Sequence, residues 1–285
     1  MAWQVTSSGN NPILVNTPSD AGAIFNAPAS LAGWFLSASF AGAGASLMGS
    51  YLPGASNLTG WDFAYQGSGA SLPNCSAFAI VNNVNTNVYL QILFNFVAST
   101  GIWYHMVITY DGSRTAAGVK FYVNGILQGV QSVALDALSA SSANGQFSFA
   151  IGDRVQQNDP VTVGGRAAHV ALWQRPLTLP EIRRLAFGNA FPDEIGPQLL
   201  FYSPLGNFAQ TNQAGKFGAI ANPVYNTGAI GTTVLDPPML RARVRDPLNS
   251  RFVVRKVTVA ASPVVFRKSA SSIGTRVGSR QMWAT

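Results

Sequence analysis

The sequence predicts an all-β fold: a two-sheet antiparallel jelly-roll sandwich with one short helix, followed by an extended basic C-terminal arm. Short apolar or alternating runs recur along the chain, each bounded by Gly, Pro, Asn, Asp or Ser. This pattern is typical of sandwiches and barrels. The turn dipeptides Asp111-Gly112 and Asn124-Gly125 separate successive runs, as tight hairpins require. Strong helix signals occur in one stretch of the sequence.

Ten runs are predicted to be strands. They cover residues 23–25, 33–40, 61–65, 78–81, 88–96, 103–110, 120–123, 146–151, 168–173 and 198–204. The helix is predicted near residues 178–188. Thr178 is a suitable N-cap and Glu181 follows three residues later, which is the spacing of a capping box. Gly188 then suits the C-terminal stop.

The chain is predicted to have three segments: an N-terminal extension (1–19), the sandwich (20–235) and the arm (236–285). The second boundary is placed at Asp236-Pro237-Pro238, because two consecutive prolines favour an extended chain. The residues beyond it mix basic and β-branched side chains without a helical period. We expect an arm that becomes ordered on a partner.

Charge is scarce in this protein and unevenly distributed. Only 10% of the 285 residues are charged, and the net charge is +7. Residues 1–240 hold eight basic and ten acidic residues, a balance of −2, whereas residues 241–285 hold ten basic and one acidic, a balance of +9. So few charges protect poorly against self-association, which favours a homo-oligomer or larger assembly. The basic segment is typical of an interaction region.

Targeting signals are not recognisable in the sequence. The first residues lack the basic and apolar regions of a signal peptide, and no apolar run reaches the roughly 18 residues of a membrane-spanning helix. Cys75 is the single cysteine, so no intrachain disulfide forms and a buried or half-buried thiol is expected. We therefore expect synthesis in the cytoplasm and no membrane partner.

Residues 103–113 (WYHMVITYDGS) and 119–125 (VKFYVNG) carry a family resemblance. They resemble the laminin-G-like branch of the concanavalin A-like lectin/glucanase superfamily, and the likeness continues at 149–152 and 165–182. The resemblance implies a jelly roll closed by a strand and a short helix. The family often has Asp-Glu before the valine of its closing strand. Ala168 and His169 stand there in this sequence, so the resemblance implies the loss of any metal site built on those acids.

Residues 199–205 and 236–238 carry a second resemblance. They are similar to the C-terminal part of laminin-G-like proteins carried by bacteriophages. This resemblance implies a role in a virus particle.

Catalytic residues are not predicted. Glycoside hydrolysis needs two carboxyl groups a few ångströms apart, but Glu181 and Glu194 are the only glutamates and no two acids alternate on a predicted strand. His105 and His169 lie on predicted strands, where packed, hydrogen-bonded histidines are expected rather than a catalytic base or metal ligand. The sequence therefore predicts a protein that is not an enzyme and needs no cofactor.

Two groups of residues are candidate ligand sites. Asp153 and Asp159 lie in one loop and could offer oxygens to Ca²⁺, with a solvated turn as the alternative. Trp61, Asp62 and Tyr65 combine aromatic rings with a carboxylate and could bind a glycan, with an ordinary edge strand as the alternative.

The basic arm is the candidate partner-binding segment. It could neutralise nucleic-acid phosphates, lie on an acidic membrane or add strands and ion pairs to a protein, and its valines favour the protein. The residues assigned to this role are Arg241, Arg243, Arg245, Arg251, Arg255, Lys256, Phe266, Arg267 and Lys268.

The sequence therefore predicts a non-enzymatic virion structural protein that decorates or cements a phage capsid through its arm. Its partner would be the major capsid protein or another structural subunit, and its location the virion. The first alternative is a carbohydrate-binding adhesion module on a phage tail or spike. The second is a nucleic-acid-associated protein.

Overall fold

A computed structural model describes the protein over most of the predicted sandwich and at short strands elsewhere. The described residues are 2–4, 13–15, 24–37, 45–50, 52–53, 58–66, 75–83, 87–139, 149–152, 165–205, 223–225, 232–234, 243–245 and 252–254. The chain divides into two compact units, Met1–Arg241 and Ala242–Thr285.

The described residues are mainly β-strands. In chain order the strands are β1 (Ala2–Gln4), β2 (Ile13–Val15), β3 (Ala29–Leu36), β4 (Ala45–Gly49), β5 (Leu52–Pro53), β6 (Leu58–Gln66), β7 (Cys75–Asn83), β8 (Val88–Phe94), β9 (Trp103–Tyr110), β10 (Val119–Val123), β11 (Ile126–Leu127), β12 (Val130–Asp136), β13 (Phe149–Ile151), β14 (Arg166–Trp173), β15 (Leu199–Ser203), β16 (Pro223–Tyr225), β17 (Thr232–Val234), β18 (Arg243–Arg245) and β19 (Phe252–Val254). The helical elements are α1 (Leu179–Ala186) and the 3₁₀ turns Ile24–Asn26, Ala116–Gly118 and Pro192–Glu194. Among these residues no helix is long and apolar enough to cross a membrane.

The first unit consists of two antiparallel sheets. Sheet A has the strand order β11-β10-β9-β3-β14-β1-β17, and β15 also pairs with β14. Sheet B has the order β12-β8-β7-β6-β4-β13-β2-β16, and β5 also pairs with β6. The predicted all-β fold with two antiparallel sheets and one short helix is confirmed, and the architecture is consistent with a jelly roll.

The inner faces of the two sheets share one aromatic core. Phe63 and Phe94 of sheet B pack against Phe121 of sheet A, with ring centroids 5.4 Å and 5.1 Å apart. All three side chains are fully buried. Because side chains alternate between the two faces of a strand, these inward positions determine which neighbouring residues face outward.

Helix α1 covers part of the outer face of sheet A. Ile182 and Leu185 of the helix form a second apolar cluster with residues that include Val107 and Trp173 of the sheet. The predicted helix signals are confirmed. Thr178 and Glu181 form the capping box, in which the Thr178 backbone N–H donates to Glu181 Oε2 at 2.8 Å.

The N-terminal segment, predicted as an extension outside the sandwich, contributes a strand to each sheet. Strand β1 pairs with β14 and β17, and β2 pairs with β13 and β16. These strands have three residues each, which is too short to show an alternating pattern in the sequence.

The second unit contains a small hairpin. Strand β18 pairs with β19 in antiparallel register, with Arg243 opposite Val254 and Arg245 opposite Phe252. At these positions the segment predicted as an extended arm has regular local structure.

Candidate functional site

The face of sheet B that points away from the core includes four small residues, Gly60, Ala64, Ala77 and Ala79, among larger ones. Residues that pair side by side across β6, β7 and β8 form three rows on this face, which we call ranks. They are Ala64–Ala77–Leu93, Asp62–Ala79–Gln91 and Gly60–Val81–Tyr89. The alternate residues on these strands, such as Phe63 and Ile92, belong to the central core. Ala77 and Leu93 form a cluster separate from that core, as their outward direction requires. We call this surface the outer face of sheet B.

Strand β4 extends the outer face of sheet B on one side. A register shift between Ser46 and Met48 allows Ser46 to pair with Ala64 and Gly49 to pair with Asp62. A side chain at Gly49 would not fit, because its Cβ would lie 2.8 Å from Asp62 Oδ1. The glycine therefore leaves space for the carboxylate.

Asp62 is the acidic group of this face. Its side chain is only 6% exposed, and Ser46 Oγ donates a hydrogen bond to Asp62 Oδ1 at 2.6 Å. A hydrogen bond to a carboxylate is short and strong, so it fixes the orientation of the group. Among the described residues no second acid lies in the three ranks, so they do not bring together the pair of carboxyls that glycoside hydrolysis uses.

Tyr89 and Gln91 form the accessible margin of the outer face of sheet B. Both side chains are partly exposed on β8, and they lie two residues apart, which is about 7 Å along a strand. Ala79, beside Gln91, is also partly exposed, and its methyl group does not project far from the sheet. A phenol ring offers an apolar face, and an amide donates and accepts hydrogen bonds. Binding sites for small polar ligands need this combination of an apolar surface and a few polar groups.

The prediction that Trp61 and Tyr65 form an aromatic sugar platform is wrong. Both side chains point into the core, where they are 0% and 3% exposed. Trp61 packs edge-on against Phe25 with ring centroids 5.2 Å apart. An aromatic platform must expose a ring face, whereas these rings are covered on the inner side of β6. Of the three predicted residues, Asp62 alone faces outward.

Sequence reasoning missed Tyr89 and Gln91, although a signal was present. Strand β8 reads VYLQILF. Once Leu90, Ile92 and Phe94 are assigned to the core, the alternation places Tyr89 and Gln91 on the opposite face.

The two histidines are packed side chains, as predicted. His105 is 3% exposed, its ring centroid lies 5.3 Å from that of Trp34, and burial lowers its pKa to about 3. Nδ1 of His105 has no hydrogen-bond partner among the described residues, which differs from the prediction. His169 Nδ1 lies 3.0 Å from the Tyr202 hydroxyl, and burial lowers the pKa of His169 to about 4. Both imidazoles are therefore neutral at pH 7.

Metal-binding groups do not converge in the part of the chain that the structure describes. No three His, Cys, Asp or Glu side chains there could hold an ion together. Asp153 and Asp159, the candidate Ca²⁺ ligands, lie outside the described residues.

The predicted partner-binding residues are only partly described. Arg243 and Arg245 lie on β18. The others, Arg241, Arg251, Arg255, Lys256, Phe266, Arg267 and Lys268, lie outside the described residues.

Comparison with known proteins assigns the family of this fold. A family model described as the concanavalin A-like lectin/glucanases superfamily, of laminin G type, matches residues 8–183. The chain belongs to this superfamily. The resemblance predicted from residues 103–125 is thereby confirmed at the level of the family. No curated protein matches this chain.

Solved structures share this fold at low sequence identity. A protein from Bacteroides ovatus ATCC 8483, provisionally assigned as carbohydrate-binding, is 16% identical with a TM-score of 0.57. The match covers 84% of this concanavalin A-like chain and 60% of the Bacteroides protein. The CBM40 module of Ruminococcus gnavus IT-sialidase is 13% identical with a TM-score of 0.48, and the match covers 65% of this chain and 96% of the module. At these identities the comparison shows the fold alone.

Proposed function

We propose that the chain is a non-enzymatic carbohydrate-binding module that holds a glycan on the outer face of sheet B. The observation that carries the proposal is the partly exposed group Ala79, Tyr89 and Gln91, with the buried carboxylate of Asp62 in the same rank. A carboxylate and an amide accept and donate hydrogen bonds to hydroxyl groups, and a phenol ring packs against the apolar side of a sugar ring. The small side chain of Ala79, which is partly exposed, leaves room for a flat ligand beside Gln91.

The ligand class has independent support. The Bacteroides ovatus protein that shares the fold is provisionally assigned as carbohydrate-binding. This chain spans about three fifths of the length of that protein, so the support concerns the sandwich and not the rest of the Bacteroides chain.

The acids of the described face support binding without catalysis. Hydrolysis of a glycosidic bond needs a proton donor and a second carboxylate about 5–9.5 Å away. The ranks supply Asp62 alone, and Ser46 already donates to it. Asp62 therefore serves to orient a ligand or its neighbours, and we expect binding without turnover.

A glycan array followed by calorimetry on the best hit tests the sugar proposal. The variants Tyr89→Ala and Gln91→Ala are expected to weaken binding at least about tenfold, the effect of losing about 1.4 kcal/mol. Gln174→Ala is the matched control, because Gln174 is exposed after β14 in sheet A. If no glycan binds, or if the two β8 variants bind as the wild type does, the proposal is contradicted.

A second candidate function is decoration of a virus capsid, with the virion as location. The uneven charge favours it: residues 1–240 have a net charge of −2, whereas residues 241–285 hold ten basic residues and one acid. If the chain has this second function, the basic segment (residues 241–285) binds the major capsid protein or another acidic structural subunit. Arg243 and Arg245, on a short hairpin with Val253 opposite Val244, would contribute ion pairs.

Co-sedimentation with capsids across a salt series tests the capsid candidate. The variant that ends at residue 241 keeps every strand of both sheets and should stay folded but remain in the supernatant. Binding of the full chain should weaken with salt, since the Debye length falls from about 10 Å at 0.1 M to about 3 Å at 1 M. Replacing Arg243 and Arg245 by Gln should also weaken it, while Lys120→Gln serves as the control. Binding to DNA but not to capsids would favour the nucleic-acid alternative instead.

A further inference from the structure

Exposed apolar side chains are concentrated where the two sheets end on the same side of the sandwich. Strand β11 is the last strand of sheet A, strand β12 is the last strand of sheet B, and only Gln128 and Gly129 separate them. The large apolar residues on these strands are Ile126, Leu127, Val130 and Val133, which are 67%, 55%, 49% and 44% exposed. We call these four residues the apolar edge.

The apolar edge is held firmly by the backbone. Asn124 and Gly125 have φ values of 49° and 78°, as both central residues of a type I′ turn require, and they start β11 directly after β10. The Gln128 N–H donates to the Phe121 carbonyl at 2.8 Å, and the Asn95 N–H donates to the Gly129 carbonyl at 2.8 Å. The exposure is therefore a property of ordered strands and not of a loose loop.

The residues that usually protect a sheet edge from association are missing here. Proteins commonly place lysine or proline on an edge strand to prevent association, but residues 124–135 (NGILQGVQSVAL) contain neither of these and no acid. Strand β12 has register shifts after Val130 and after Val133, and such bulges bend a strand. A partner would therefore be held by side-chain packing more than by a continuous backbone ladder.

We propose that the apolar edge is the contact surface for a second copy of this chain. In a two-fold contact each patch meets its own copy, and here apolar residues would meet apolar residues. The basic segment is a poorer occupant, since Asp136 is the one acid among residues 124–139 and its Oδ1 already accepts from the Ala116 N–H at 3.0 Å. The low overall charge, 10% of residues, is compatible with such self-association.

Sedimentation velocity of the full chain over a concentration series tests the second-copy contact. The wild type is expected to form dimers, and Val133→Lys should raise the dimer dissociation constant at least about tenfold by opposing like charges. Gln174→Lys is the matched control: it adds the same charge on the connection after β14, which is four strands from β11 in sheet A, or about 19 Å.

A mixing experiment makes the test specific to a two-fold contact. Val133 is the central residue of β12, so an equimolar mixture of Val133→Lys and Val133→Glu should form dimers that neither variant forms alone. Circular dichroism of each variant checks that it is folded. A wild type that stays monomeric at all concentrations, or a Val133→Lys variant that associates as the wild type does, overturns the proposal. Association that salt abolishes while Val133→Lys leaves it intact would assign the contact to the basic segment and also overturn it.

Discussion

Arg175 and Glu181 form a two-pronged ion pair that joins the end of β14 to the start of α1. Arg175 Nη1 donates to Glu181 Oε2 at 2.9 Å, and Nη2 donates to Oε1 at 2.7 Å. Arg175 Nε also donates to the carbonyl oxygen of Pro197 at 3.1 Å. One guanidinium group thereby connects the closing strand, the helix cap and the chain that leads to β15.

Breaking this ion pair should destabilise the sandwich. The Arg175 hydrogen bonds lower the pKa of Glu181 to about 2 from its ordinary 4.5. A lowered carboxyl pKa stabilises the fold above pH 4.5, and this contribution is lost as the pH falls towards 2. Glu181→Gln should cost about 1.5–3 kcal/mol at pH 7, the range for hydrogen bonds to charged groups.

Urea unfolding at pH 7 measures the cost, and a double-mutant cycle with Arg175→Lys isolates the pair. Lysine keeps the charge but loses the two-pronged geometry. Strictly additive effects of the two substitutions would show that the pair makes no contribution of its own.

Gly60 occupies a backbone position that no other residue should tolerate. Its φ is +115°, and an added Cβ would lie 2.6 Å from the carbonyl oxygen of Ser50. Gly60→Ala should therefore cost more than the roughly 1–2 kcal/mol of a left-handed conformation. Gly101→Ala is the control, since Gly101 has a φ of +73° with no atom within 4 Å of an added Cβ. The urea midpoints of the two variants should differ clearly, and equal losses would contradict the steric argument.

Trp61 should be the more important of two tryptophans for stability. Its side chain is 0% exposed in the central core, so Trp61→Ala should cost about 3–5 kcal/mol. Trp103 is partly exposed and packs against the small cluster of Trp34 and Ala168. The sequence predicts a similar loss for Trp103→Ala if its indole is buried, but its partial exposure reduces this to less than about 3 kcal/mol. Denaturant unfolding of both variants makes the comparison, and a larger loss at Trp103 would contradict it.

Strands in which apolar and polar residues alternate strongly can be predicted well from the sequence. Edge strands without such a pattern cannot. Strand β9 has the predicted bounds, Trp103–Tyr110, because aromatic and β-branched residues alternate there between two turns. Strand β12 was missed, since its sequence VQSVALD lacks a continuous apolar face and its register is shifted twice. Residues 23–25 were predicted as a strand, but Ile24–Asn26 form a 3₁₀ turn, because three apolar residues alone do not distinguish the two.

The outer face of sheet B was predictable only in part, for a geometric reason. Asp62 was recognised by its residue type, but its neighbours across the sheet depend on the register of β6, β7 and β8. A shift of one residue moves every side chain to the other face. Trp61 and Tyr65 lie an odd number of residues from Asp62 on the same strand, so they point to the opposite face, into the core.

His105 and His169 should make stability depend on pH in mildly acidic solution. Burial is the main cause that lowers their pKa values to about 3 and about 4 from the ordinary 6.5. In the unfolded chain both imidazoles take up a proton below pH 6.5, whereas in the folded protein they stay neutral. The unfolded state thus binds more protons, so the free energy of unfolding is largest above pH 6.5 and falls as the pH decreases towards 4 and 3.

The window from pH 6.5 to 4.5 reports on the histidines, because the ordinary glutamate pKa of 4.5 lies at its lower end. Each histidine should contribute a slope of up to about 1.4 kcal/mol per pH unit. His105→Phe keeps an aromatic ring next to Trp34 but removes one titrating group, so it should reduce the slope by about half. Urea unfolding at several pH values within this window measures the slope for both proteins. A free energy of unfolding that stays constant or rises as the pH falls from 6.5 to 4.5 would show that the two imidazoles are not held neutral by the fold.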